Sequence, residues 1–168
     1  FLSDVQNSYE TGEKRSVEDK DYLKSTASLD QAKYVVVWDI ETGKIVKALK
    51  LPPNEKDSYT ETPEITAIVF DSTGEKLVIG STDNLIRIWD MNSGKIIHQM
   101  SGHHAEISSI LYSHNGRYLI SSSYDGSIII WDAETYEMLS TAYLIGNEEY
   151  IIVTPENYYA CSKNGTSA

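Results

Sequence analysis

An all-β chain of four-stranded antiparallel blades, about three and a half of them in a partial propeller, is the architecture this sequence predicts. Three observations predict it: an internal repeat of 42 residues, apolar residues alternating at a period near two, and three Trp-Asp pairs that each end a run of β-branched residues. Shifting the chain by 42 residues lays Ile65 on Ile107, Ile68 on Ile110, Gly74 on Gly116 and Leu77 on Leu119. The match continues through Ser81 on Ser123, Asp83 on Asp125, Ile86 on Ile128, Ile88 on Ile130 and Trp89-Asp90 on Trp131-Asp132. A period of roughly 40 to 45 residues is that of one four-stranded propeller blade. Alternation in "ISSILYS" and "LIRIWD" specifies strands with one buried face, and Asn115-Gly116 and Asp125-Gly126 punctuate them as hairpin turns.

Taken in order, blade one occupies about residues 1–51 and ends its third strand at Trp38-Asp39 in "YVVVWD". Trp38 stands 51 residues before Trp89, nine more than the repeat. Ile65 to Trp89 and Ile107 to Trp131 are both 24 steps, so the extra residues fall between blades, in "LPPNEKDSYTETPE". Its Pro52-Pro53 and polar tail suit an exposed excursion. Counting 24 back from Trp38 reaches "TGEKRSVEDK", too charged for an inner strand, so the first strand is placed in "FLSDV". Blade two spans 65–100, with strands near 65–70, 76–80, 85–89 and 95–100. Blade three spans 106–143, with strands near 106–112, 118–123, 127–132 and 137–143. An incomplete blade four over 149–163 supplies two strands, near 149–154 and 158–162. Helix is nearly absent, and the 168 residues form a single domain.

Composition narrows the function classes. With 40% apolar residues the chain can bury a real core. No apolar block approaches the roughly 20 residues of a membrane-spanning helix, so a soluble protein without a membrane partner is expected. Twenty-five acidic against 14 basic side chains give a net charge of −11. That balance argues against a nucleic-acid partner, which rewards a basic face. The single cysteine, Cys161, demands no oxidising compartment, and Phe1 opens a polar segment with no signal-peptide pattern. The expected location is cytoplasmic.

The three Trp-Asp endings, together with Gly102-His103 placed 28 residues before Trp131, resemble the WD-repeat family of β-propellers over about residues 30–143. The resemblance implies a structural tetrad in blade three made of His103, Ser121, Asp125 and Trp131. Its physics is simple. A buried indole N–H needs an acceptor; Ser121 accepts it and donates on to His103, whose other ring nitrogen reaches Asp125, so that no buried polar group is left unpaired. Blade two keeps Trp89 and Asp83 but has Ile79 at the serine position and no Gly-His. Blade one has Ala32 at the aspartate position, with Asp30 two residues away. Blade three is therefore expected to be the stiffest. The resemblance further implies a partner-binding rim at Glu64, Thr82, Glu106 and Tyr124, to which the exposed loop residue His104 is added. An aromatic beside acids favours a basic protein or peptide partner.

Catalytic and metal chemistry are the competing readings. His98, His103, His104 and Glu106 fall within nine residues and are zinc-type ligands, but the tetrad claims His103 and His98 lies on an outer strand. Cys161 lies in a strand with no histidine after His114 to activate it. No phosphate cradle or nucleophile elbow is present. No catalytic residue, metal or cofactor is expected. The tail "YIIVTPENYYACSKNG" resembles the segment ending propellers in bacterial proteins that join WD repeats to a caspase-like peptidase domain. The expected function is a non-enzymatic protein-interaction scaffold or regulatory module, part of a larger WD-repeat protein. The alternative is the sensor propeller of such a peptidase. Blades left uncovered at either end imply either that subunits associate to cover them or that the piece is cut from a closed ring.

Overall fold

The computed structural model describes residues 34–52, 62–145 and 149–162. Among these there is no helix; the elements are strands β1 (Tyr34–Trp38), β2 (Ile45–Lys50), β3 (Ile65–Phe70), β4 (Lys76–Ser81), β5 (Ile86–Asp90) and β6 (Lys95–Met100). They continue with β7 (Ile107–Tyr112), β8 (Tyr118–Ser123), β9 (Ser127–Asp132), β10 (Met138–Ile145), β11 (Glu149–Val153) and β12 (Tyr159–Cys161). Strands β1 and β2 pair antiparallel, β3 to β6 form a four-stranded sheet in sequence order, and β7 to β12 form a six-stranded one. The strand expected in "FLSDV" and most of the excursion after Leu51 lie outside the described residues.

Strands form where alternation and turn residues agree. The turn after β8 has Gly126 at φ +82°, and its equivalent 42 residues earlier has Asn84 at φ +67°, the two residue types that enter the left-handed region most readily. The register irregularity recurs with the repeat: it falls between Ile65 and Ala67 in β3 and between Ile107 and Ser109 in β7. The Asp of each Trp-Asp pair ties down the following turn. Asp39 Oδ1 accepts from the backbone N–H of Glu41 and Thr42, Asp90 Oδ1 from Ser93, and Asp132 Oδ1 from Glu134 and Thr135. All three carboxyls are held below the usual carboxylate range, Asp39 and Asp132 chiefly by the backbone N–H of Thr42 and Thr135, and Asp90 by the side chain and then the backbone of Ser93.

One difference from the expected topology concerns β11 and β12. Both are strands, but they extend the sheet of β7 to β10, with Ala142 facing Ile152 and Ile152 facing Ala160, instead of opening a sheet of their own. Connection length accounts for it. Six residues, 101–106, carry the chain from β6 across to β7 in the next sheet. Only three, 146–148, join β10 to β11, which is a hairpin-length link between paired antiparallel strands.

The core is two layers, one on each side of the β3 to β6 sheet. Val78, Ile86, Ile88 and Met100 on one face pack with Ile107, Ile110, Leu119, Ile129 and Trp131 of the following sheet. Leu77, Ile79 and Trp89 on the other face pack with Val35, Leu49 and Leu51 of the preceding one. The central β4 and β5 are accordingly buried almost throughout, whereas β8 and β9 alternate and bury one face only. Polar contacts latch the sheets together at the turns: the Lys47 ammonium donates to the carbonyls of Met91 and Asn92, and the Tyr136 ring lies 5.0 Å from that of His98.

Candidate functional site

Alternation puts Ser121, Ser123, Ser127, Ile129 and Trp131 on the face of β8 and β9 that meets the central sheet. The 101–106 loop then passes over the edge of this sheet. A Cβ at Gly102 would come within 2.5 Å of Met138 Cε and 3.0 Å of Trp131 Cη2, so glycine lets the loop lie against the indole and deliver His103 beneath it. His103 is 7% exposed and Ser121 is fully buried.

The four tetrad residues are brought together in one chain of hydrogen bonds. Trp131 Nε1–H donates to Ser121 Oγ at 2.9 Å, and Ser121 Oγ lies 2.8 Å from His103 Nε2. On the other side of the ring, Nδ1 is 3.2 Å from Asp125 Oδ2 and 3.0 Å from Ser127 Oγ. A carboxylate can only accept, so Nδ1 carries the proton and Nε2 accepts from Ser121. Burial, partly opposed by Asp125, pushes the His103 pKa below its ordinary value and keeps the ring neutral. Burial would raise Asp125, but hydrogen bonds from the Ser127 hydroxyl, the backbone N–H of His104 and Ser127, and His103 hold it far below the usual carboxylate range. Ser127 is a member of this network that the repeat pattern did not single out.

The central sheet solves the same problem with different chemistry. Arg87, 2% exposed, donates from Nη2 to Asp83 Oδ2 at 2.5 Å and from Nη1 to Asp83 Oδ1 at 3.1 Å and Ser81 Oγ at 2.8 Å. Asp83 is thereby satisfied without a histidine, and its pKa, which burial alone would raise, is lowered by Arg87 and Ser81. Trp89 is not: with Ile79 where Ser121 stands, its Nε1–H is buried without a hydrogen-bond partner. The sequence signal for Arg87 was a lone charge inside the apolar run "LIRIWD", four residues after Asp83.

The rim residues sit directly beside these staples. The backbone N–H of Thr82 donates to Glu64 O and that of Glu64 to Thr82 Oγ1, both at 3.0 Å. At the equivalent corner Tyr124 N–H donates to Glu106 O at 3.1 Å, Ser123 Oγ donates to Ala105 O, and His104 N–H donates to Asp125. Tyr124 is 76% exposed, and the side chains of Glu64, His104 and Glu106 are also exposed. Gly80, at the end of β4, abuts Ile107 at the start of β7, so the two corners lie at the same end of adjacent sheets. His98 does not join the other histidines; its ring faces Tyr136. Among the described residues no three His, Cys, Asp or Glu side chains group as metal ligands would. Nor is any helix there long and apolar enough to cross a membrane.

Comparison with known proteins fits this geometry. The family model for the WD domain, G-beta repeat, matches residues 94–132, and that for the anaphase-promoting complex subunit 4 WD40 domain matches 36–110. Together the two matches cover residues 36–132, over which the chain is similar to WD40 repeats. Among curated proteins, these repeats are 36% identical over 74 residues to U3 small nucleolar RNA-associated protein 12 of Saccharomyces cerevisiae, covering 42% of this chain and 8% of that protein. They are 28% identical over 74 residues to the WD repeat-containing protein VIP3 of Arabidopsis thaliana, covering 42% and 23%. Of the solved structures, the RRP9 WD40 repeats superpose with a TM-score of 0.56 at 18% identity, over 78% of this chain and 45% of that one. U3-55K gives 0.56 at 16% identity, over 78% and 46%. The chain thus spans less than half of either solved structure and under a quarter of these two curated relatives.

Proposed function

We propose that this chain is a non-enzymatic protein-interaction module whose contact surface is the rim formed by Glu64, Thr82, His104, Glu106 and Tyr124. The observation that carries this reading is the repeated corner: in two adjacent sheets the same backbone bonds fix an acidic residue beside the residue 18 positions later, 64 with 82 and 106 with 124. Beneath the second corner lies the buried polar network, which holds Tyr124 and Glu106 on a rigid base. An exposed aromatic flanked by acids offers a hot-spot side chain with charge complementary to lysine or arginine.

Fluorescence anisotropy with Lys/Arg-rich peptides and, separately, with single-stranded RNA tests this. Peptides should bind, bind more weakly at higher salt, and lose about tenfold in affinity, roughly 1.4 kcal/mol, on Tyr124→Ala or Glu106→Lys. Binding of RNA in place of peptide would overturn the reading. RNA is the arm to include because one relative is named for association with a small nucleolar RNA, while the charge of −11 disfavours phosphate contact here. The sensor-propeller reading rests on the tail resemblance alone. Within the segment that carries it, residues 150–161 belong to β11, the turn at Asn157 and β12.

A further inference from the structure

Five residues after the Trp of each Trp-Asp pair the backbone turns through the left-handed region: Gly43 at φ +66°, Gly94 at +69° and Tyr136 at +62°. The local bonding is the same in all three. The N–H of that residue donates to the carbonyl of the Asp four positions earlier, at 2.8, 2.8 and 2.9 Å. Glycine enters this region freely, whereas a bulky side chain there is an outlier that persists only where its surroundings hold it. Tyr136 is therefore the strained copy of a turn that the chain builds twice with glycine.

What holds it lies in the neighbouring sheet. Nine residues after Trp38 and Trp89 stand Lys47 and His98, at equivalent points of β2 and β6. Lys47 reaches forward onto the turn of the next sheet, donating to Met91 O and Asn92 O, and a Cβ at Gly94 would come within 3.4 Å of its Nζ. The ammonium thus sits over bare backbone, in the space a side chain at 94 would enter. Between the central sheet and the next one the reach is reversed. The Tyr136 ring extends back from the β9–β10 turn onto the central sheet, its centroid 5.0 Å from that of His98 in β6 and 5.4 Å from Lys76 Nζ in β4, the latter within cation–π range. The ring packs against the core layer shared by the two sheets, while Tyr136 Oη is buried with no hydrogen-bond partner. The ring, not the hydroxyl, makes the contact.

We propose that Tyr136 is a clamp whose ring, seated on His98 and Lys76 of the central sheet, holds its own backbone in the left-handed region and pins the two sheets together. The turn that carries it follows the end of β9, whereas the rim corner at Tyr124 precedes the start of that strand. The clamp therefore works at the end of the sheet opposite the rim and is independent of what the rim binds. Glycine suffices at 43 and 94 for the backbone, so the tyrosine at 136 is explained by the contact across the sheets.

Urea denaturation and native-state amide exchange test it. On local backbone grounds alone, Tyr136→Gly should raise the urea midpoint, because it restores the residue that the other two turns carry. The clamp predicts the opposite sign: a lower midpoint, with the β6 amides that bond β5 exchanging faster by at least about tenfold. Tyr136→Asn, which also tolerates the left-handed region without glycine's freedom in the unfolded chain, should behave as Tyr136→Gly does, so the failure of one variant to fold leaves the other to decide. Tyr136→Phe keeps the ring and should hold the wild-type midpoint. His98→Ala should lower the midpoint of the wild-type chain but not that of Tyr136→Asn, because the two side chains act as one contact. A Gly or Asn variant with a midpoint at or above the wild-type one, β6 amides left unchanged, a Phe variant as weak as the Gly variant, or an equal cost of His98→Ala in both backgrounds would each overturn the proposal.

Discussion

At Trp89 and Trp131 the same side chain stands at the same point of the repeat with opposite outcomes for its N–H. Trp131 donates to Ser121, and Trp89 donates to nothing. Replacement by Phe removes a satisfied bond at one site and an unpaired donor at the other. Trp131→Phe should therefore cost more stability than Trp89→Phe by about 1 kcal/mol, read from urea denaturation of the two variants. His103→Ala, which removes the acceptor of the Ser121 hydroxyl and one of the donors to Asp125, should cost about 1–3 kcal/mol. The ring also sets a pH dependence. Burial lowers the folded pKa of His103 below its ordinary 6.5, so as pH falls the unfolded chain takes up the proton first. Its contribution is complete above 6.5 and is lost as pH falls through the folded value. Asp125 is also depressed, but its contribution persists down to the ordinary carboxylate range near 3.8 and is lost below it. Between about pH 7 and 5 the urea midpoint of the wild type should fall more steeply than that of His103→Gln; parallel slopes would remove His103 from the balance. All four tetrad positions were legible through the family resemblance, which maps each of them onto blade three from its Trp-Asp pair and Gly-His. Arg87 was not, because its equivalent is Ile129 and the repeat offers no precedent for a buried guanidinium.

Between elements, the tightest approach is at Gly80. A Cβ there would lie 2.5 Å from Ile107 Cγ2, 2.8 Å from Ile107 Cβ and 2.9 Å from Ile110 Cδ1. Ile107 is fully buried and Ile110 nearly so; Ile110 Cδ1 ends its side chain and can turn aside, but Ile107 Cβ and Cγ2 are held next to the backbone of β7, so β4 and β7 must separate to admit a methyl. Gly80→Ala should cost about 1–3 kcal/mol as overpacking. Ile107→Ala alone should cost about 2–5 kcal/mol through the cavity it leaves. The double variant should be less destabilised than the sum of the two, and simple additivity in that cycle would place the strain elsewhere. Strand positions such as 65–70 and 118–123 were readable because alternation and turn residues act locally. The partner of β11 was not, since a period of two marks a strand without naming its neighbour; the length of the 146–148 link decides that.

Over the whole molecule, two stabilising devices are distributed unequally. The sequence expectation makes blade three the stiffest on the strength of its complete tetrad, but the structure gives the β3 to β6 sheet cover on both faces and its own buried Arg87–Asp83 pair. Burial of a second face adds several side chains at about 1.5–3 kcal/mol each, whereas the hydrogen bonds of one polar network contribute about 1 kcal/mol apiece. Cover should therefore outweigh the staple. Native-state amide exchange measures the ranking directly, because each strand exchanges through the opening that exposes it. The amides of β4 and β5 should exchange slowest, those of β8 and β9 next, and those of the two-stranded β1–β2 sheet and of β12 fastest. If β8 and β9 outlast β4 and β5 in dilute solution, the His103 network dominates and the expectation drawn from the tetrad is the better guide.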